Sequence, residues 1–328
     1  MVRINRALKT VKAVLIVYLI FGYLDIFSQE ASLYENYYLN TFLINPAITG
    51  AENYTTADLS VRQQWVGFPD APTTVVLSGS YRVGKYDFYD PKGFLNKGHL
   101  KLVDRIGLGA SFFTDVNGPL ANTGGILSYA YHVPIKSDSR LSFGISAIGT
   151  YFSFNSSILK PDDPNDPYLL NGNDNVFRAN FNLGVYFHDA DYFIGLSADK
   201  ILPDIGGVND EISEQPSIFL FGGYKFLQNM DAFILEPSLM IKKTAERDPS
   251  FDIHVKLYVR RLHWIAISYS TTNKINFRFG LRLYKMIYAG YNYEYTLGDI
   301  ASYTLGSHEI HLGINLGLIE IRGIRNTQ

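Results

Sequence analysis

Residues 274–283 read KINFRFGLRL. Ile275, Phe277, Phe279, Leu281 and Leu283 are apolar, while Asn276, Arg278, Gly280 and Arg282 between them are polar or small. A period of two predicts a β-strand, because successive side chains leave a sheet on opposite faces. In FDIHVKLYVR the set Phe251, Ile253, Val255, Leu257 and Val259 alternates with Asp252, His254, Lys256, Tyr258 and Arg260. NVFRANFNLGVYF (175–187), AGYNYEY (289–295) and EIHLGINLGL (309–318) repeat it, and segments near 57–64, 74–83, 105–113 and 191–199 follow less cleanly. In 141–154 the phase slips between Ala147 and Ile148, which predicts a bulge. The pattern gives about fourteen strands of roughly 9–13 residues, long enough to cross a bilayer at a tilt. Helical periodicity is confined to an apolar run near the N-terminus and a weaker stretch over 31–43.

Such alternation fits a soluble sandwich or a membrane barrel with apolar side chains in lipid and polar ones facing a lumen. The connections separate the two. Every second one is short (134–139, 188–191, 227–231, 260–263 and 285–286), whereas 155–174, 202–215 and 297–307 are long. Short turns at one end and long loops at the other are a property of outer-membrane barrels. The long 84–103 and the short 271–274 break the rule. The polar set also carries Gly107, Gly109, Gly144, Gly184, Gly195, Gly280 and Gly313. Glycine weakens an ordinary strand, but on a curved wall it relieves crowding on the inside. The expected fold is therefore all-β: a transmembrane antiparallel β-barrel of about fourteen strands with an N-terminal arm. Arg82, Arg178, Asp252, Lys256, Arg278, Arg282 and Glu294 would face the lumen, since an arginine at the bilayer midplane costs about 2–4 kcal/mol.

Composition narrows this further. Twenty-four Tyr and 22 Phe against 2 Trp suit a protein with wide apolar–aqueous boundaries. A net charge of −2 offers no electrostatic footprint for nucleic acid. With no cysteine, disulfides, thiolate catalysis and Cys-ligated zinc are excluded. Arg3, Arg6, Lys9 and Lys12 precede AVLIVYLIFGYL (13–24), the layout of a secretory signal, too short to span comfortably as a helix. Cleavage is expected near Ser28–Gln29. The chain thus divides into a signal peptide (1–28), an arm in the periplasm or lumen (29–54) and the barrel (55–328).

Two stretches are more specific. QEASLYENYYLNTFLINPAITG covers 29–50, where Pro46 forces Asn45 out of the helical region and Gly50 supplies a turn. VRQQWVGFPDAPTTVVLSGS covers 61–80, where Gly67, Pro69, Asp70 and Pro72 make a corner and Trp65 ends a strand, as an interface anchor does. Together Gln29, Tyr38, Asn45, Pro46, Ala47 and Gly50, then Arg62, Gln64, Trp65, Gly67, Ala71, Pro72, Thr74, Leu77 and Ser78, resemble the PorP/SprF family of outer-membrane proteins linked to type IX secretion. Ile48-Thr49 stands where the family often has an aromatic residue. The resemblance implies a fourteen-stranded barrel whose arm lies in or under the lumen. It also implies a role in holding a secreted adhesin at the surface, or in the secretion and gliding machinery. The arm and the Arg62–Trp65 region would then shape the periplasmic mouth or lumen, and these motif residues are the candidates for binding the partner.

Other chemistry is weaker. His308 and His311 of HEIH lie three apart on a strand and face opposite sides, so they read as solvated rim residues rather than a metal pair. DDPNDP (162–167) and NGNDN (171–175) carry oxygen ligands suited to calcium but no ordered spacing. His254 and Ser268 share a face, yet nothing in the sequence pairs them as a hydrolase would require. The reading is non-enzymatic, with no cofactor. Its rivals are a diffusion channel or small-solute transporter, a secreted sandwich and a barrel enzyme.

Overall fold

In a computed structural model of the chain, the described residues are 40–52, 55–83, 105–136, 139–155, 175–202, 215–228, 233–245, 247–259, 263–284 and 286–316. They form one continuous antiparallel sheet. Its strands are β1 (Thr55–Gln63), β2 (Thr73–Val83), β3 (Ile106–Asn117), β4 (Leu120–Pro134), β5 (Arg140–Phe154), β6 (Val176–His188) and β7 (Tyr192–Asp199). They continue as β8 (Ser217–Tyr224), β9 (Phe226–Gln228), β10 (Phe233–Thr244), β11 (Ser250–Val259), β12 (His263–Ser270), β13 (Lys274–Arg282), β14 (Ile287–Thr296) and β15 (Ser307–Leu316). β8 and β9 both pair with β10 and are separated only by Lys225, so they form one wall strand. Each strand pairs with the next, and β1 pairs with β15, which closes a 14-stranded barrel.

The registers explain the closure. Carried strand by strand around the ring, they return to β1 displaced by about 14 residues, the stagger that tilted strands need to close. Closure satisfies the edge strands' backbone groups, which a bilayer interior demands. Among the described residues no helix is long and apolar enough to cross a membrane; the strands do the crossing.

The two faces divide as the alternation predicts. Phe277 and Phe279 are 49% and 42% exposed on the outside, while Arg278 is 3% exposed inside. Exposed Leu, Ile and Phe side chains such as Phe112, Leu127, Leu196, Ile265 and Ile310 form the outer band. Exposed tyrosines flank it near strand ends: Tyr81, Tyr192, Tyr224 and Tyr284 at the end where β1 begins, and Tyr151 and Tyr295 at the other. That is the distribution of a membrane barrel, whose aromatic girdles sit at the two interfaces. The end where β1 begins is called the arm end below, and the opposite one the far end.

Two details depart from the sequence reading. The expected bulge in 141–154 is absent: β4 and β5 pair without interruption from Leu120↔Phe154 to Pro134↔Arg140. Ile148 instead points inward and is buried with Val76, Phe113 and Ile126, because the arm supplies apolar partners there. Strand lengths also spread more widely than expected, from 8 residues in β7 to 15 in β4 and β5. The expected signal peptide, the expected arm before Asn40, the 84–103 connection and the calcium-candidate loop over 156–174 lie outside the described residues.

Candidate functional site

The lumen is occupied by the chain's own arm. Thr41–Leu43 and Pro46–Ile48 are short 3-10 turns joined through Asn45, which is extended (φ −129°, ψ 105°) as its following proline requires. Asn45 Oδ1 accepts from Ala47 N at 2.9 Å, and its Nδ2 donates to Val185 O (3.0 Å) and Leu196 O (3.3 Å). This one fully buried amide therefore caps the second turn and ties it to β6 and β7. His132 Nε2 lies 2.9 Å from Thr49 O, its Nδ1 lies 2.7 Å from Ser142 Oγ, and Arg140 Nη1 donates to Ala51 O at 3.4 Å.

Close approach requires glycine on the wall. A Cβ on Gly144 would overlap the Pro46–Ala47 backbone, one on Gly184 would overlap the Asn45 amide, and one on Gly107 would strike Thr49 O. Gly109 faces the Thr49 methyl and the Phe42 ring. Gly50 adopts φ +65°, a conformation favouring glycine, with its own face against the Gly107 backbone. Four of the seven lumenal glycines thus form the arm's seat, a more specific role than relief of curvature. Further along, Phe42 and Leu43 pack on Val76, Phe113, Ile126 and Ile148, while Ile44 packs on Phe219 and Met240. The arm crosses the lumen at mid-depth and touches both walls.

The opposite side, where the chain's first and last strands meet, is built from charge. Arg62 on β1 donates to Glu294 on β14 at 3.0 Å and lies 3.9 Å from Glu309 on β15. Ser60 donates to Glu309, and Ser307 donates to Glu294 at 3.3 Å. One rung toward the arm end, Asp58 accepts from the Tyr288 hydroxyl and lies 3.2 Å from His311 Nε2. Arg62, Glu294 and Glu309 are each at most 3% exposed. A buried ion network persists only with such mutual satisfaction, since isolated ions there would cost several kcal/mol.

The second sequence stretch falls at this seam's far end, away from the arm. β1 begins beside the arm and carries Arg62 toward the opposite rim, where it is buried on the lumenal face, so the two stretches line the lumen at different ends. There Gln64 N donates to Pro72 O (2.9 Å), Gln63 Nε2 donates to Ala71 O (3.2 Å), and Gly67 takes φ +100° in the corner. Trp65 (φ 47°) is not a lipid-interface anchor. Its indole nitrogen is buried, its amide donates to Ser307 Oγ (3.3 Å), and neighbouring Val66 exchanges backbone bonds with Leu305 and Gly306 (both 2.8 Å). The corner latches β1 to the loop before β15.

The remaining lumenal charges sit on the inner face as expected. Arg278 donates to Ser268 Oγ at 2.9 Å, and Arg178 lies over the Phe152 ring at 5.7 Å. Lys256 Nζ lies 4.6 Å and 4.5 Å from the Tyr258 and Trp264 rings. Arg82 is buried, Asp252 is half-buried on β11, and Arg282 is half-buried at the arm end of β13. Glu294 pairs with Arg62. His308 and His311 do face opposite ways, but His311 is buried in the lumen rather than at a solvated rim. His254 and Ser268 lie directly opposite in register, with Ser238 Oγ 3.4 Å from His254 Nδ1. Sequence reasoning missed the apolar seat of Val76, Phe113, Ile126 and Ile148, and the Asp58–His311 rung. Beside the arm, at the arm end, a cavity of about 470 Å³ remains, bounded by Glu52, Asp58, Lys256, Trp264, Tyr288 and Asn315 among others.

The family model "Type IX secretion system membrane protein PorP/SprF" matches residues 26–314, nearly the whole chain. The chain belongs to the PorP/SprF family. The match spans both the arm and the wall, so the seat and its occupant belong to one family unit. Among solved structures, the Ralstonia pickettii toluene transporter TbuX is similar, with a TM-score of 0.50 and 10% identity over 84% of this chain and 92% of that one. The Acinetobacter baumannii outer membrane protein Omp33 gives 0.47 and 9%, over 82% and 100%. At 10% identity the likeness to TbuX is one of fold. No match was found among curated proteins. This PorP/SprF chain is thus a membrane β-barrel of the type IX secretion system family.

Proposed function

We propose that this is a non-enzymatic outer-membrane barrel that holds a secreted surface adhesin, or helps export or assemble it within the type IX secretion and gliding machinery. The observation that carries the reading is the arm crossing the lumen between two apolar wall patches, Val76–Phe113–Ile126–Ile148 and Phe219–Met240. A solute pore needs a continuous wet path, whereas a barrel filled by its own chain serves as a rigid membrane-bound body. His254 between Ser238 and Ser268 has hydroxyls beside it, but Ser268 accepts from Arg278, a setting for structure rather than for a nucleophile.

The test is affinity purification of the tagged chain from mildly solubilised outer membrane. Recovery of one large secreted surface protein, reduced when Gly144→Leu unseats the arm, is the expected result. The rival reading, a diffusion channel, draws on the 470 Å³ cavity. Recovery of the barrel alone, with a large steady current from the pure protein in planar bilayers, would establish the channel instead.

A further inference from the structure

The cavity beside the arm has a construction of its own. Four aromatic rings around it lie over glycines of the neighbouring strand: Phe193 over Gly223, Phe221 over Gly195, Trp264 over Gly280 and Tyr288 over Gly313. In each case a Cβ on the glycine would overlap the ring. Laid against the wall, these rings border the cavity at the arm end, with Lys256 Nζ 4.5 Å from the Trp264 ring and Tyr186 stacked on Phe221 at 6.2 Å. Gly195, Gly223, Gly280 and Gly313 on the inner face are accounted for by this arrangement.

Between the rings stand hydrogen-bonding groups. Asn315 is 9% exposed and its Oδ1 has no partner, although its backbone amide is bonded to Met286 O at 2.8 Å. A buried acceptor left open is costly, and a ligand donor that reached it would recover that cost. Lys256, Arg282 and Glu52 add donors and an acceptor at the same level. Charges there are largely matched: Glu236 is 3.9 Å from Lys225 and opposite Lys256 in register, and Asp58 is held by Tyr288 and His311. An ionic ligand would find no excess of either sign. A purely apolar one would leave Asn315 Oδ1 without a donor and add nothing for the lysine beyond the rings it already faces.

We propose that this arm-end vestibule binds a short neutral saccharide. Pyranose rings have apolar faces that lie on aromatic side chains and hydroxyls that need donors and acceptors together. The volume falls within the range of about 300–1,000 Å³ typical of small-ligand sites. The proposal does not rest on adhesin anchoring, and either can fail alone.

The chain has 2 Trp, so Trp65→Phe leaves Trp264 in the vestibule as the sole indole reporter. The full-length protein in detergent, with this substitution, is titrated with N,N′,N″-triacetylchitotriose and with maltotriose, and in parallel with glucose 6-phosphate and toluene. The expected result is a saturable change in tryptophan emission with at least one trisaccharide, weakened about tenfold by Asn315→Ala, about 1.4 kcal/mol. Heat-modifiable gel migration and unchanged bilayer insertion confirm that each variant is folded. Should Asn315→Ala misfold, Lys256→Met is read in its place, with the same expected loss. No response to either trisaccharide up to about 10 mM, a weaker response than to toluene or glucose 6-phosphate, or undiminished binding by the folded variant would overturn the proposal.

Discussion

Two sides of the same lumen are built on the same strand pattern and filled in opposite ways. Along β3–β6 the inner face sets glycines and a few apolar side chains among small polar ones, and the protein's own arm completes it through the Asn45 amide, the His132 and Arg140 bonds and the Phe42–Leu43 contacts. Along β14, β15 and β1 the inner face carries charge, and Arg62, Glu294, Glu309, Ser60 and Ser307 pair with one another across the seam. The first side depends on a segment that could in principle leave; the second is self-contained. Removing a group should therefore harm the seam, whereas adding one should harm the seat.

The largest effect is expected from Arg62→Ala, which leaves Glu294 and Glu309 buried beside each other without their cation. Breaking such a network costs about 3–5 kcal/mol, to be read as a fall in the denaturant midpoint of the refolded barrel. Arg62→Met with Glu294→Gln and Glu309→Gln should recover most of it, because apolar and neutral replacements carry no unpaired charge. Next, Gly144→Leu should cost about 1–3 kcal/mol by overpacking, but its sharper signature is functional. The arm should become accessible to protease at Asn40–Glu52, and bilayer conductance should rise, while the seam stays intact. A smaller loss, about 1–2 kcal/mol, is expected for Asn45→Ala, which removes the amide from two strand carbonyls and the cap from Ala47; arm amides should then exchange faster while wall amides do not. The gentlest probe is a spin label at Phe279 compared with one at Arg278: oxygen should relax the first more strongly, and a water-soluble nickel chelate the second. The reverse order would remove the inside–outside assignment on which both regions are defined.

Much of the wall was legible because the period-two signal is local: Phe277, Arg278, Phe279 and Arg282 reveal their faces without knowledge of any neighbour. Ile148 was not. An inward apolar residue is indistinguishable, along one strand, from a bulge that turns an outward one, and only Phe42 and Leu43, over a hundred residues earlier, distinguish them. Trp65 was misplaced for a related reason. Its position at a strand end is what an interface anchor shows, but its φ of 47° and the loop carrying Leu305 turn it against the protein. The lumenal glycines were visible as a pattern, and their division between a chain segment and aromatic rings was not, since both leave the same letter in the sequence. Asp58 and His311 pair across the seam at a sequence separation no local pattern can register.

The seam sets an order on how the molecule can be made. β1 and β15 lie at opposite ends of the wall's sequence, so the ring stays open until the last strand arrives and the most distant contacts form at the end. The arm is joined directly to β1 and already lies inside. It must be laid on the β3–β6 surface before that final pairing, or drawn in through a mouth afterwards. By the first route, closing the wall is also the act that shuts the arm inside.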